Sequence, residues 1–302
     1  MIIGTRGSKL ALYQSNLVRD LLAKLGCRAD LNIIKTVGDK NQRLSFDKME
    51  GQGFFTRELE EALLDGTIDL AVHSLKDLST EQPAGLTIAA YCSPVDASEL
   101  LLMQADAHDP NQTLFLKPEA VVGTGSVRRE AQLHYFRPDF EIRGLRGNVP
   151  TRVHKLSEGL YDAIVLARAG VDRLKLDLGD LKAIALDRTS FLPAPGQGIL
   201  AIEIRENDQA VSDMVGRLNN QAAEDKARLE RGLLARFQGG CQLPLAVTSD
   251  IIDGKYVLKA FLGQRDGDSW TTPSQFEGSG SSIEELIEDA YRNLNRPATE
   301  SA

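Results

Sequence analysis

Short apolar runs alternate with capped, helix-like stretches through the first two thirds of this 302-residue chain, and that alternation admits few folds. A strand, a helix and a further strand in succession call for a crossover, which favours a parallel sheet with helices packed on its faces. The first run is Met1–Ile3, after which Ser8 is placed to cap a helix reaching about Leu25, with Gly26 as its left-handed stop. Leu31, Ile33 and Ile34 predict a second strand, followed by a polar loop from Val37 to Gly53, a helix over Phe54–Leu64 and a strand at Ile68–Val72. The rhythm restarts after Cys92-Ser93-Pro94. Strands are expected at Leu100–Met103, Val121–Val122, Phe140–Arg143 and Ala163–Leu166, with helices opening after Gly123-Thr124-Gly125-Ser126 and near Pro150. Two consecutive α/β domains fit this pattern.

Leu192-Pro193-Ala194-Pro195-Gly196-Gln197-Gly198 is rigid and then flexible, and punctuates a boundary. Beyond it the spacing predicts a strand at Ile199–Ile204, a helix over Gln221–Phe237, strands near Leu245–Thr248, Tyr256–Leu262 and Thr271–Phe276, and a last helix from Ser282 to about Leu294. Gly278–Ser282 reads as a Gly-Ser turn, and no internal repeat is evident. This end of the chain reads as a small α+β domain.

With 43 acidic against 35 basic residues the net charge is -8, which opposes a general affinity for nucleic acid or anionic membrane. Any bound anion must therefore meet a local basic site. No apolar run approaches a membrane span, and no basic segment with an apolar run and cleavage site opens the sequence. Cys27, Cys92 and Cys241 have neither the even count of a disulfide framework nor paired metal-ligand spacing, so a reducing cytoplasm and no metal are expected.

Six arginines, Arg128, Arg129, Arg137, Arg143, Arg146 and Arg152, fall within a short stretch of this acidic chain. A planar guanidinium suits bidentate recognition of carboxylates, although a charged solvated face accounts for such a group equally well. Arg128 and Arg129 stand out because they follow Gly123-Thr124-Gly125-Ser126 at an expected helix N-terminus, where backbone N–H groups and hydroxyls favour an anion. Thr5-Arg6-Gly7-Ser8 repeats the arrangement at the first helix. Two such cradles in two α/β domains point to one polyanionic ligand held in a cleft between them. His73-Ser74-Leu75-Lys76-Asp77 follows a strand end, where α/β sheets place ligands. Lys76 and Asp77 are either an exposed pair or a ligand-binding cation beside a proton-handling carboxylate, and His73 reads as a packed or turn residue rather than a base. Gly239-Gly240-Cys241 presents a thiol behind two glycines, as a reactive site does and as a small buried residue equally can.

These segments, together with Gly51-Gln52-Gly53-Phe54-Phe55, Arg143-Gly144-Leu145-Arg146-Gly147-Asn148-Val149 and Pro193-Ala194-Pro195-Gly196-Gln197-Gly198, resemble the hydroxymethylbilane synthase (porphobilinogen deaminase) family over nearly the whole chain. The resemblance implies two periplasmic-binding-protein-like α/β domains plus a smaller α+β C-terminal domain. The chain then returns to its first domain near Pro195, giving domains of 1–93 with 194–214, 94–193 and 215–302. It implies a transferase that condenses four porphobilinogen molecules head to tail, releasing ammonia, into hydroxymethylbilane. It further implies a dipyrromethane cofactor held by a thioether to Cys241, and no metal.

By that resemblance Lys76, Ser74, Thr124, Ser126, Arg128, Arg129 and Arg146 hold the cofactor, and Arg6, Ser8, Arg152 and Lys48 bind substrate. Asp77 is the catalytic carboxylate, stabilising the cation left when ammonia departs. Arg137 lies outside the matched segments, and its replacement is expected to do little. Gln52 stands where the family often has lysine, and Ser79 where proline commonly follows the Lys-Asp pair. A cytoplasmic monomer without nucleic-acid or membrane partners is expected. The rival from another class is a non-catalytic anion-binding or sensor protein, which accounts for the arginines and glycines and leaves the Cys241 loop without a purpose.

Overall fold

The computed structural model describes residues 1–36, 56–240 and 242–296, in two compact units. The first comprises 1–95 and 196–227, the second 96–195 and 228–302. The expected loop at 37–53 and the opening of the helix after it lie outside the described residues.

In the first unit, strands β1 (Ile2–Arg6), β2 (Asp30–Ile34), β3 (Leu70–Ser74), β4 (Leu86–Cys92) and β10 (Leu200–Arg205) form one sheet in the order β2-β1-β3-β10-β4. β1 pairs in parallel with β2 and β3, whereas β10 runs antiparallel to both of its neighbours. The chain therefore does return to this sheet after leaving it. Ser8 caps α1 (Lys9–Lys24) by accepting from the Ala11 N–H at 3.2 Å, and Gly26 closes that helix at a φ of +81°. Ile3, Val18, Leu22, Leu70, Val72, Leu200 and Ile202 form the core between helix and sheet. On the other side α2 (Arg57–Leu64) packs Leu59 and Leu63 with Ile68 and Ala71.

The second unit holds β5 (Glu99–Met103), β6 (Val121–Thr124), β7 (Glu141–Gly144), β8 (Ala163–Ala167) and β9 (Lys182–Ala185) in the order β7-β6-β8-β5-β9. Only β5 is antiparallel to its neighbours. The two sheets thus share one plan, a repeat absent from the sequence because packing needs only apolar side chains at matching positions. Helices α3 (Val127–Phe136) and α4 (Val149–Ser157) follow β6 and β7 directly. Strands β4 and β9 are not among those expected. Both are edge strands with runs such as Ala89-Ala90 and Lys182-Ala183, which give weak β preference until a neighbouring strand pairs with them.

The last sheet is a meander, β11 (Leu245–Ile252), β12 (Lys255–Asp266) and β13 (Ser269–Gly280), covered by α8 (Ile283–Leu294). Leu229, Leu233, Val247, Leu258, Leu262, Leu286, Ala290 and Leu294 form its core. The remaining helices, α5 (Arg168–Leu174), α6 (Gln209–Gly216) and α7 (Gln221–Arg236), complete the described order. Gly278 and Gly280 are not a turn, as their composition implies. They end β13, paired with Leu258 and Tyr256, because ladder hydrogen bonds outweigh the turn preference of glycine and serine. Pro273 is tolerated in β13 because that strand lies at the sheet edge. Within this unit the meander packs closely on α3: a Cβ at Gly263 would stand 2.6 Å from that of Ala131, and Trp270 donates to Glu130 at 3.2 Å.

Candidate functional site

In the first unit the candidate residues gather where β1 and β3 end. These strands are adjacent and parallel, so Arg6 and Ser74, their last residues, leave the sheet at one edge. The Ser74 hydroxyl accepts from Gln14 Nε2 at 2.8 Å. A short 3₁₀ turn over Leu75–Asp77 follows, and Lys76 Nζ donates to Gln197 Oε1 at 3.1 Å. Gln14 and Gln197 are both buried, so these two amides hold the hydroxyl and the ammonium in place. Asp77 ends the turn exposed, with no hydrogen bond or ion pair from the described residues. His73 is packed, as expected: its Nε2 lies 3.1 Å from Oε2 of Glu203, and both side chains are buried. Burial also pushes the nearby Glu60 carboxyl above its ordinary range, with a hydrogen bond to Thr56 opposing.

The second unit repeats the arrangement at the ends of β6 and β7. Thr124 Oγ1 accepts from the Ser126 N–H at 3.2 Å, and Ser126 is the N-cap residue of α3. Unlike Ser8, Asn148 and Ser282 at their helices, Ser126 makes no side-chain capping bond, so its hydroxyl is not spent on the helix. Gly125 permits a close approach that no other residue would. A Cβ there would stand 2.8 Å from the Leu145 carbonyl oxygen and 3.7 Å from Arg146 Nη1, which places the Arg146 guanidinium against the loop. Arg152, on α4, donates from Nε to the Gly147 carbonyl at 2.7 Å.

The row of arginines divides. Arg128 Nη2 donates to Glu99 Oε1 at 2.8 Å. Arg129 is buried and turned inward: Nε and Nη2 fork onto the two Glu99 oxygens at 3.0 and 2.7 Å, and Nη1 donates to the Val165 carbonyl at 3.0 Å. Arg143 pairs with Glu141 at the surface.

Arg137 is the clear correction. Rather than a dispensable surface charge it is 7% exposed, forked onto Asp139 at 2.7 Å through both Nε and Nη2. It also donates to the Thr113 and Leu116 carbonyls at 2.9 Å and lies 4.2 Å from the centroid of the Phe140 ring. Hydrogen bonding from Arg137 holds the Asp139 carboxyl far below its ordinary range. Arg137→Leu is therefore expected to cost about 1–3 kcal/mol, chiefly because the buried Leu116 carbonyl loses its donor, the exposed Asp139 carboxylate being able to turn to water. Because the Asp139 pKa is depressed in the fold, its contribution is fully present above the unfolded value near 4, begins to decline below it, and is lost as pH falls through the lower folded value. Denaturant titrations at pH 7 and pH 3 check both points: the deficit of the variant should shrink at the lower pH.

Cys241 and Lys48 lie outside the described residues, as does Gln52. On the flanks of Cys241, Gly239 packs on Leu243 and Leu234, and the Leu243 N–H donates to the Gly240 carbonyl at 3.0 Å.

Residues 1–213 match the family model described as "Porphobilinogen deaminase, dipyromethane cofactor binding domain", and residues 225–286 match that of the porphobilinogen deaminase C-terminal domain. The chain belongs to the porphobilinogen deaminase family. Among its relatives, the porphobilinogen deaminase of Nitratiruptor sp. is 41% identical over 296 residues, covering 97% of this chain and 93% of that one. That of Maridesulfovibrio salexigens is 42% identical over 280 residues, covering 92% and 88%. Against solved structures, an amino acid transporter substrate-binding protein from Streptococcus pneumoniae aligns at 12% identity with a TM-score of 0.40, covering 98% of this chain and 96% of that one. A likeness of that size leaves the α/β, α/β and α+β architecture to be read from the sheets themselves.

The porphobilinogen deaminase cofactor, a dipyrromethane, carries carboxylates, and the donors described fit such a group. In the second unit, the hydroxyls of Thr124 and Ser126 and the guanidiniums of Arg128 and Arg146 are of the kinds that recognise carboxylate oxygens, and so, in the first unit, is the Lys76 ammonium. Among the described residues no cluster of three or more His, Cys, Asp or Glu could hold a metal, and no helix is long and apolar enough to cross a membrane. Sequence reasoning missed Glu99, Gln14 and Gln197 as partners of the site. Glu99 carried one signal, a carboxylate opening the apolar run Leu100-Leu101-Leu102-Met103.

Proposed function

We infer that this chain condenses four porphobilinogen molecules head to tail into hydroxymethylbilane, with release of ammonia, in tetrapyrrole biosynthesis. The observation that carries the reading is the match to porphobilinogen deaminases over almost the full length of both chains. The dipyrromethane, held by a thioether to Cys241, supplies the electron-rich pyrrole end from which the product grows.

The roles of the side chains follow from their chemistry. Each porphobilinogen brings an acetate and a propionate, so elongation accumulates carboxylates that need fixed cations. Lys76, Ser74, Thr124, Ser126, Arg128 and Arg146 are proposed to hold the cofactor, and Arg6, Ser8, Arg152 and Lys48 the incoming substrate. Ser8 and Ser74 each accept one bond, from Ala11 N and Gln14 Nε2, which leaves the hydroxyl proton of each to be donated to a carboxylate. Departure of ammonia leaves a cation on the incoming ring. Asp77, exposed and making no hydrogen bond or ion pair with the described residues, is proposed to stabilise that charge and to take up the proton released on coupling. Domains of 1–93 with 194–214, 94–193 and 215–302 are proposed on the support of three sheets, each with its own apolar core. A monomer acting in the cytoplasm completes the proposal.

The intact mass of the denatured protein tests the covalent link. Active protein should exceed its sequence mass by two pyrrole units, and Cys241→Ala should lose both the added mass and the activity. A sequence mass in protein that binds but does not consume porphobilinogen would favour the anion-binding reading.

A further inference from the structure

Tyr161 lies just before β8 and has no part in the roles assigned so far, yet it touches both loops that bring the donors of the second unit together. Its neighbour Asp162 fastens this stretch to the start of β6: the Asp162 N–H donates to the Val121 carbonyl at 2.9 Å, and Asp162 Oδ2 accepts from the Val121 N–H at 2.7 Å. From that anchor the Tyr161 ring passes over β6. A Cβ at Gly123 would stand 2.7 and 2.9 Å from two of its ring carbons, so the ring rests on bare backbone one residue before Thr124. The hydroxyl then reaches the next strand and donates to the Gly144 carbonyl, at the end of β7, at 2.8 Å. Strand order β7-β6-β8 makes this bridge possible, and the ring packs beside Leu145, Val153 and Ile164. A phenol has few torsions and ends in a directed donor, so it fixes a spacing that a flexible side chain would not.

The two contacts fall where the loops after β6 and β7 meet. The Leu145 N–H donates to the Thr124 carbonyl at 3.0 Å, and Gly125 lies against the Leu145 carbonyl with no room for a side chain. We propose that Tyr161 is a positioning residue for cofactor binding: it sets the loop carrying Thr124 and Ser126 against the loop carrying Arg146, and itself contacts no ligand. The proposal deepens the reading above and rests on the assignment of the Thr124 and Ser126 hydroxyls to cofactor carboxylates.

Full-length variants, compared by intact mass for the loaded fraction of folded protein and by urea titration for stability, separate positioning from structural support. Tyr161→Ala should leave most of the folded protein unloaded. Gly123→Ala drives a methyl group into the ring and should also lower loading, while the double variant should be no worse than Tyr161→Ala alone, because the ring that the methyl meets is gone. Tyr161→Phe keeps the ring on Gly123 and deletes one bond to an exposed carbonyl, so its urea midpoint should stay close to that of the parent while kcat/KM per loaded molecule falls roughly fivefold, the scale of one hydrogen bond. Asp162→Ala is the control: it loosens the far end of β6, and should lower the midpoint yet load as the parent does. Parent-like loading in folded Tyr161→Ala, or a loss of loading in Asp162→Ala that matches its loss of stability, overturns the proposal. Where Tyr161→Ala does not accumulate in folded form, parent-like kcat/KM in loaded Tyr161→Phe overturns it. Parent-like loading in Thr124→Val combined with Ser126→Ala would remove the assignment of those hydroxyls, and the proposal with it.

Discussion

Arg129→Leu is expected to destabilise the second unit by about 3–5 kcal/mol, the cost of leaving one member of a buried ion pair without its partner. Glu99, in a buried strand, would lose the fork that meets both of its oxygens, and the Val165 carbonyl would lose the Nη1 bond. Arg128→Leu should be far milder in stability, because the Arg129 fork remains, while cofactor loading falls. Urea titrations of the two variants followed by fluorescence or circular dichroism, with intact masses in parallel, separate these effects. Equal stabilities would mean that the fork contributes nothing and that Arg129, like Arg128, serves the ligand.

Asp77→Asn is expected to leave stability within about 0.5 kcal/mol of the parent, as for an exposed side chain away from structural contacts. Turnover should fall by roughly 10²–10³, the scale seen when a group that stabilises developing charge is removed. The cofactor should stay attached, since the amide keeps the shape of the side chain and Lys76 keeps its bond to Gln197. Asp77→Glu keeps the charge but displaces it, and should retain a measurable part of the activity. Single-turnover measurements with porphobilinogen, made on variants whose mass confirms loading, decide the matter. Wild-type turnover in a loaded Asn variant would remove Asp77 from the mechanism.

Local signals carried much of this protein. Ser8, Gly26 and Ser282 delimit helices through bonds between neighbours in sequence, so their roles are legible without a fold. The same holds for the alternating α/β rhythm and for the ordered motifs from Thr5 to Cys241, which identify the family because each retains its residue types in order. What only tertiary structure decided are the long-range partners. Arg129 and Arg128 look alike in sequence, yet Glu99, about 30 positions away, draws one inward and leaves the other near the surface. Arg137 looks like any charged residue at a helix end until the Thr113 and Leu116 carbonyls, more than twenty positions earlier, surround it. Gln197 and Lys76 meet across 121 positions because β10 returns to lie beside β3. Composition and spacing determine which elements form, since propensity and capping act over a few residues. Which charges are buried is set by strand order, because desolvation depends on everything that packs around a group and not on its neighbours in the chain.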